Sequence, residues 1–238
     1  MIKKLRKSSS LFVFAIIVCI IWWAFVVFAD NVSYAQNLKS PDPFTLVSDK
    51  NLLTDYKPVD DNGDINVVVE IPTGTTAKWE VVKPSGELNW NFSNGKPRRV
   101  KYLGYPGNYG MVPRTIMPKE LGGDGDPIDV LVLGPPVARG SVVQAKLIGV
   151  LKMIDKGEQD DKLIAVLRDT PFYTLPSIKE LDETFLGVTD IIQIWFANYK
   201  GPDKIETEGF GDEIEARRIL QSAINAFNQS QENRLSTQ

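Results

Sequence analysis

The sequence contains no histidine and only one cysteine among its 238 residues. The absence of histidine excludes Ser-His-Asp and Cys-His catalysis, histidine-ligated zinc and pH switches based on imidazole. A single cysteine can form neither an intramolecular disulfide nor a multi-cysteine metal site. Acid–base chemistry in this chain must therefore use Asp, Glu, Lys or Tyr side chains, or water activated by a metal ion.

The chain also lacks an excess of positive charge, because it contains 27 Lys and Arg residues and 30 Asp and Glu residues. Proteins that bind nucleic acids by neutralising phosphates need such an excess, so we expect no nucleic-acid partner. With 18 glycines, 15 prolines and 43% hydrophobic residues, the chain is neither collagen-like nor disordered. Its length suits one domain with a sizeable hydrophobic core.

The N-terminus has a basic start followed by an uncharged apolar run from Leu11 to Ala29. A helix of that length would span roughly 28 Å, close to the roughly 30 Å hydrocarbon core of a membrane, whereas a cleavable signal usually has about 7–15 apolar residues. Length favours a membrane anchor, but Ser33-Tyr34-Ala35 fits a signal-peptidase site. In both cases the basic start stays inside, so we predict a protein exported across the cytoplasmic membrane, periplasmic or extracytoplasmic, and membrane-anchored if uncleaved.

Composition divides the chain into four segments. We predict a signal peptide or membrane anchor over 1–35, a linker over 36–51, a single domain over 52–230 and a disordered tail over 231–238. The linker is polar, contains Pro41 and Pro43, and shows no sustained periodicity.

Strand patterns dominate the middle of the domain. Alternation from Ile65 to Ile71 predicts a half-buried strand with Glu70 pointing away from the apolar face. Apolar runs predict further strands at 128–133, 142–154 and 163–167, the long one bent near Gly149. Helical spacing appears only later, after a capping box at Ser177, near 192–199 and over 213–228. A β-rich body followed by helices predicts an α+β, mainly β, fold.

An acidic segment, Asp124-Gly125-Asp126-Pro127-Ile128-Asp129, carries the first chemical signal. Unscreened carboxylates a few ångströms apart repel each other by about 1–4 kcal/mol per pair, so such a cluster is either a solvated turn or a cation site. Oxygen-only ligands favour Mg²⁺, Ca²⁺ or Mn²⁺ over zinc. An EF-hand is excluded because the third ligand position holds Ile128.

Other candidate groups lie elsewhere in the chain. A second acidic group, Asp155 and Asp160, ends at Lys162, and the phenols of Tyr105 and Tyr109 flank a turn. The further candidates are Lys78, Arg98, Tyr199 and Lys200. Together they describe a metal–phosphate site, in which cations neutralise the carboxylates and basic residues bind phosphate oxygens. Because no glycine-rich nucleotide loop is present, we expect a small, highly charged phosphate as the substrate.

The segment Asp124 to Asp129 resembles the Asp-x-Asp-Pro-x-Asp signature of soluble family I inorganic pyrophosphatases. Further blocks occur in that family's order, namely Val-Glu70-Ile-Pro, Lys78-Trp79-Glu80, Tyr105-Pro-Gly-Asn-Tyr109-Gly, Gly149 to Met153, Asp155 to Lys162, and Tyr199-Lys200. The resemblance spans about Leu52 to Asn228. It implies a small closed OB-like five-stranded β-barrel with helices packed outside, Mg²⁺ with Mn²⁺ as a substitute, hydrolysis of diphosphate to two orthophosphates, and a homo-oligomer.

The same resemblance implies roles for individual residues. Metal ligands would be Asp124, Asp129 and Asp160 at the core, Asp155 for a further ion, and Glu70 and Glu80 at the outer ions. Asp126 would orient or deprotonate the attacking water. Diphosphate would be bound by Lys78, Arg98, Tyr109, Tyr199 and Lys200. Tyr105, as a further catalytic residue, and Lys162, as a further substrate contact, would support the site.

Several alternatives remain open on the sequence. Arg98 and Arg99 compete for the phosphate-binding arginine, of which we choose Arg98, and Lys156 stands where many relatives carry a second acid. A non-catalytic OB-like module that only binds metal or phosphate is the main alternative function. A membrane-tethered glycosyltransferase using Asp124 and Asp126 would need a nucleotide-binding α/β unit, which the pattern lacks.

Overall fold

The computed structural model describes residues 38–118, 123 and 125–236. The hydrophobic N-terminal segment and Asp124, both singled out above, lie outside the described residues. Within these ranges, no helix combines the length and the apolar character needed to cross a membrane.

Strands outnumber helices in the described part of the chain. In chain order they are β1 (Lys39–Asp42), β2 (Thr45–Val47), β3 (Ile65–Ile71), β4 (Trp79–Val81), β5 (Leu88–Trp90), β6 (Phe92–Ser93), β7 (Lys96–Pro97), β8 (Asn108–Met111), β9 (Asp129–Leu133), β10 (Val142–Asp155), β11 (Glu158–Gln159), β12 (Lys162–Leu167) and β13 (Ile205–Gly211). A 3₁₀ helix covers Pro171–Thr174, and the α-helices are α1 (Ile178–Thr184), α2 (Val188–Asn198) and α3 (Glu213–Ser236). The predicted α+β, mainly β, class is confirmed.

Five strands of the central sheet pair in a continuous ring. β3 pairs antiparallel with β8, β8 with β9, and β12 with β10, while β9 and β12 run parallel. β10 also pairs with β3, which completes the ring. The far half of β10 continues beyond it and pairs with β11 and β13. The register of β10 against β12 shifts between Leu147 and Gly149, where the sequence predicts a bend in this strand.

Gly149 is needed at this bend for steric reasons. A Cβ atom there would lie 2.3 Å from the Ile178 side chain and 2.7 Å from the carbonyl oxygen of Gly211. Both distances are too short for any side chain, so the glycine lets α1 and β13 approach β10 closely.

Two helices cover the sheet with apolar stripes at helical spacing. On α3, Ala216, Leu220 and Ala223 are buried in one cluster with residues of β3, β9, β10 and β12. On α2, Ile192, Trp195 and Phe196 join a second cluster. Where we expected a half-buried strand, β3 is buried on both faces, because Val68 packs in a third cluster.

The ends of the domain differ from the sequence-based expectation. The predicted linker over 36–51 contains β1 and β2, and β2 pairs with β5 in a small sheet of order β1-β2-β5-β4. These strands escaped prediction because three or four residues are too few to show a period. The tail that we predicted to be disordered from residue 231 is helical as far as Ser236, since α3 continues to that residue. The capping box at Ser177 is confirmed, because its side chain accepts a hydrogen bond from the amide of Glu180.

A partly buried ionic network joins the end of β12 to the loop before β3. The Arg168 guanidinium bonds the carboxylates of Asp60 at 2.6 Å and Asp64 at 2.5 Å, and the Tyr173 hydroxyl donates to Asp64 at 2.8 Å. Burial opposes ionisation of Asp60, but hydrogen bonds from Arg168 and from the backbone lower its pKa below the usual value.

Replacing Arg168 with methionine should test this network. The substitution leaves Asp64, only 4% exposed, without its cation, so we expect the free energy of unfolding to fall by about 3 kcal/mol. Urea denaturation measures the change. The control is Lys57→Met, which removes the exposed pair with Asp61 and should cost at most about 1 kcal/mol. Equal losses in the two variants would contradict a structural role for the network.

Candidate active site

A cavity of about 530 Å³ collects charged side chains from distant parts of the chain. Its lining includes all but two of the residues proposed from sequence, namely Glu70, Lys78, Glu80, Arg98, Tyr109, Asp126, Asp129, Asp155, Asp160, Lys162, Tyr199 and Lys200. Of the other two, Asp124 lies outside the described residues. Tyr105 is buried beside the cavity, with its ring 4.9 Å from that of Tyr109 and 4.4 Å from that of Trp195.

Parallel strands explain why one wall of the cavity is formed. β9 and β12 run in the same direction, with Leu163 opposite Val130. Their first residues, Asp129 and Lys162, therefore lie at the same end of the sheet. Asp160 precedes β12 and reaches the same point. Residues 33 positions apart in sequence thus become direct neighbours.

Lys162 is the central charge of this wall. Its Nζ donates to Asp129 at 2.6 Å and to Asp160 at 2.5 Å, and its side chain is only 2% exposed. Burial alone would lower the pKa of Lys162, but the two carboxylates raise it well above its usual value. Burial also opposes ionisation of Asp129, whose pKa is nonetheless held below normal by Lys162 and Lys78. The pKa of Asp160 is raised, mainly by burial.

Glu70 enters the cavity from a β-bulge. The register between β3 and β8 shifts between Val69 and Ile71, and Glu70 Oε1 accepts a 2.7 Å hydrogen bond from the amide of Val81. This bond ties the end of β3 to β4. Burial, with a smaller contribution from the Asp129 charge, raises the pKa of Glu70 to about 8.

Lysines contact two further acidic residues of the cavity, Asp155 and Asp126. Lys200 Nζ lies 2.5 Å from Asp155 Oδ2, and Lys83 contacts the carboxylate of Asp126 and, at 3.1 Å, the carbonyl oxygen of Gly125. Sequence reasoning missed Lys83. It lies in the turn between β4 and β5, and only the fold brings that turn to the acidic segment.

The donor set fits a hard divalent cation. The Oδ1 atom of Asp155 is buried without a hydrogen-bond partner among the described residues, and Glu70 is buried beside the like-charged Asp129. A cation would satisfy both groups. In the part of the chain that the structure covers, no three carboxylates form a ready metal cluster, because lysines contact them instead. The residues that would hold such an ion are Glu70, Glu80, Asp129, Asp155 and Asp160.

The aromatic residues of the cavity act as hydrogen-bond donors and as packing surfaces. Lys78 Nζ lies 5.3 Å from the centroid of the Tyr109 ring, and Tyr199 stacks on Trp195 at 4.7 Å. Burial raises the pKa of Tyr199 to about 12 and that of Tyr109 well above its usual value. Both phenols therefore remain protonated at neutral pH and can donate to an anion.

The two candidate arginines have different surroundings. Arg98 lines the cavity. Arg99 instead places its guanidinium 4.6 Å from the centroid of the Trp90 ring. This arrangement supports the choice of Arg98 as the arginine available to an anion in the cavity.

Comparison with known proteins agrees with this geometry. A family model described as inorganic pyrophosphatase matches residues 67–228. The chain is 37% identical over 170 residues to an inorganic pyrophosphatase of Xanthomonas campestris, covering 69% of this chain and 90% of that protein. The solved inorganic pyrophosphatase of Helicobacter pylori shares 34% identity at a TM-score of 0.62, over 73% of this chain and 99% of that one. A type I inorganic pyrophosphatase from Toxoplasma gondii has a TM-score of 0.70 and 28% identity, over 75% and 88% of the two chains. The chain belongs to the family I inorganic pyrophosphatases.

Proposed function

We propose that this chain hydrolyses inorganic diphosphate to two orthophosphates in the cavity described above. The observation that carries the proposal is the convergence of five cationic side chains with a wall of carboxylates in one cavity: Lys78, Lys83, Arg98, Lys162 and Lys200. A complex of diphosphate with divalent cations carries both signs of charge. Its phosphate oxygens match the basic side chains, and its cations match the carboxylates. Proteins that are 36% to 38% identical to this chain over the aligned residues are named inorganic pyrophosphatases.

The cation is proposed to be Mg²⁺, with Mn²⁺ as a substitute. Both prefer oxygen ligands, which are the only kind that the acidic wall offers. Asp124 would join the described ligands from the acidic segment. When bound, the ions would neutralise phosphate oxygens and lower the pKa of a water molecule.

The side chains of this chain bind and orient the reactants. Lys78, Lys200 and Arg98 neutralise the oxygens of diphosphate, and Arg98 can do so with two parallel hydrogen bonds. Tyr109 and Tyr199 donate from neutral phenols. Lys162 supports the substrate and holds the carboxylate wall together.

Asp126 is the residue proposed to orient or deprotonate the attacking water. The oxygen of that water bonds to one phosphorus in line, and the bridging P–O bond to the other phosphate breaks. The charge that develops on the leaving phosphate is stabilised by the basic residues, so no covalent intermediate is required. Tyr105, proposed as a further catalytic residue, packs against the rings of Tyr109 and Trp195 and would support the site from beside the cavity.

The proposal also covers the fold of the domain, its cellular location and its oligomeric state. The ring of pairings among β3, β8, β9, β12 and β10 supports the small OB-like barrel implied by the family. The basic start and the apolar run support export, with the catalytic domain outside the cytoplasmic membrane and membrane-anchored if the run is retained. We further propose a homo-oligomer, as the family resemblance implies.

Asp126→Asn should remove most of the activity. The amide cannot accept a proton from water, so we expect kcat to fall at least about 100-fold while divalent-ion affinity stays within about twofold. Phosphate release from Mg-diphosphate and calorimetric titration with Mg²⁺ measure the two effects. Asp169→Asn is the matched control, because Asp169 is exposed beyond the opposite end of β12. Near-normal turnover by the Asp126 variant would refute the role of that residue.

Removal of divalent ions should separate an enzyme from a non-catalytic module. We expect phosphate release to stop in EDTA and to return with excess Mg²⁺, because the carboxylate wall cannot face diphosphate without cations. A protein that binds Mg²⁺ and diphosphate but releases no phosphate at any Mg²⁺ concentration would support the module instead.

The fate of the N-terminus should decide between an anchor and a cleaved signal. Mass spectrometry of the protein from its native host should find either residues 1–35 retained in the membrane fraction or a mature end at Gln36 outside the cytoplasm. Recovery of the intact chain from the cytoplasmic fraction would contradict export.

A further inference from the structure

Four side chains outside the cavity form one continuous stack. The guanidinium of Arg99 lies 4.6 Å from the Trp90 ring, and Trp90 stacks on Trp79 at 5.6 Å with an interplanar angle of 24°. The guanidinium of Arg139 lies 4.6 Å from the Trp79 ring. The two tryptophans are direct partners across β4 and β5. We call these four residues the Arg–Trp stack.

The Trp90 end of the stack is tied to the phosphate-binding residues. The indole Nε1 of Trp90 donates to the carbonyl oxygen of Arg98 at 2.9 Å, and the amide of Lys78 donates to the same oxygen at 3.0 Å. Arg99 follows Arg98 directly in the chain. The backbone positions of Arg98 and Lys78 therefore depend on where the Trp90 ring lies.

The Arg139 end is tied to the proposed metal ligands. Arg139 Nε donates to the carbonyl oxygen of Glu70 at 2.9 Å, at the bulge that turns the Glu70 side chain into the cavity. Trp79, on which Arg139 packs, lies between Lys78 and Glu80 in β4. One cation thus bridges β3 and β4 behind the two glutamates.

Two costs indicate that the stack is selected for its geometry. The Nε1 atom of Trp79 is buried with no hydrogen-bond partner in the described ranges, which is a desolvation penalty that a phenylalanine would avoid. Burial, and to a smaller extent the charge of Arg99, lowers the pKa of Arg139, which means that the surroundings disfavour its charged form. What the four residues gain is one cation–π contact at each of the two stacked tryptophan rings.

We infer that Arg99, Trp90, Trp79 and Arg139 are positioning residues, which orient the cavity from outside without touching the substrate. The Trp90 end places Arg98 and Lys78 for the phosphate, and the Arg139 end places Glu70 and Glu80 for the cation. The inference rests on the proposed function, because it assigns a phosphate role to one end and a metal role to the other. Packing of the β4–β5 hairpin alone would instead affect stability without separating these two effects.

The first test addresses the phosphate end in the full-length chain. Trp90→Leu removes the ring and the Nε1 donor, and we expect the KM for diphosphate at saturating Mg²⁺ to rise about three- to tenfold with a smaller change in kcat. Trp90→Phe keeps an aromatic face and should recover part of the loss. If Trp90→Leu does not fold, Arg99→Met tests the same end, because Arg99 is exposed and its removal creates no cavity.

The second test addresses the metal end without relying on turnover. Arg139→Met removes the donor to the Glu70 carbonyl, and we expect the calorimetric affinity for Mn²⁺, without substrate, to fall about three- to tenfold. The KM for diphosphate at saturating metal should stay near the wild-type value. Phe44→Leu is the control for both tests, because Phe44 contacts the Trp90 ring but has no hydrogen bond to any cavity residue that the structure describes.

The outcomes are distinguishable. Stack variants that melt at lower temperature but keep wild-type KM and Mn²⁺ affinity, or that change both equally at either end, would overturn the inference. A wild-type chain that releases no phosphate from Mg-diphosphate would instead overturn the proposed function, because that result does not involve the stack.

Discussion

The cavity depends on one buried cation, Lys162, placed between two carboxylates. Asp129 and Asp160 would repel each other if brought together alone, and burial would force them to take up protons. The ammonium group offsets this repulsion with two short hydrogen bonds, so the acidic wall can fold before any metal ion is present. Removing a partner from such a buried pair is costly, which makes the lysine a structural as well as a chemical requirement.

Lysines also neutralise other carboxylates around the cavity. Lys200 contacts Asp155, and Lys83 contacts Asp126. Under the proposed function, bound divalent cations would contact the carboxylates and diphosphate would contact the lysines, so that neither set of groups would be left buried and unpaired. The role inferred for the Arg–Trp stack is to hold these groups in position from outside the cavity.

Sequence reasoning located much of the fold because periodicity and capping are local properties. The bend at Gly149, the capping box at Ser177 and the start of α3 all follow from neighbouring residues. Features that depend on distant partners could not be predicted. The strand β2 is held by β5, and β1 by β2, and not by their own patterns; β3 is buried on both faces because a second sheet packs over it.

The candidate site shows the same division. Residue types and their order identify the acids, bases and phenols, since a chain without histidine has few other groups for this chemistry. Which arginine faces the cavity, which lysine meets Asp126 and where Tyr105 packs depend on three-dimensional distances that no spacing encodes. The amino-acid sequence alone therefore determined the chemical groups and their local secondary structure. Only the tertiary structure decided the pairs that they form, because those pairs arise from the ring of strand pairings that brings residues far apart in the chain to one end of the sheet.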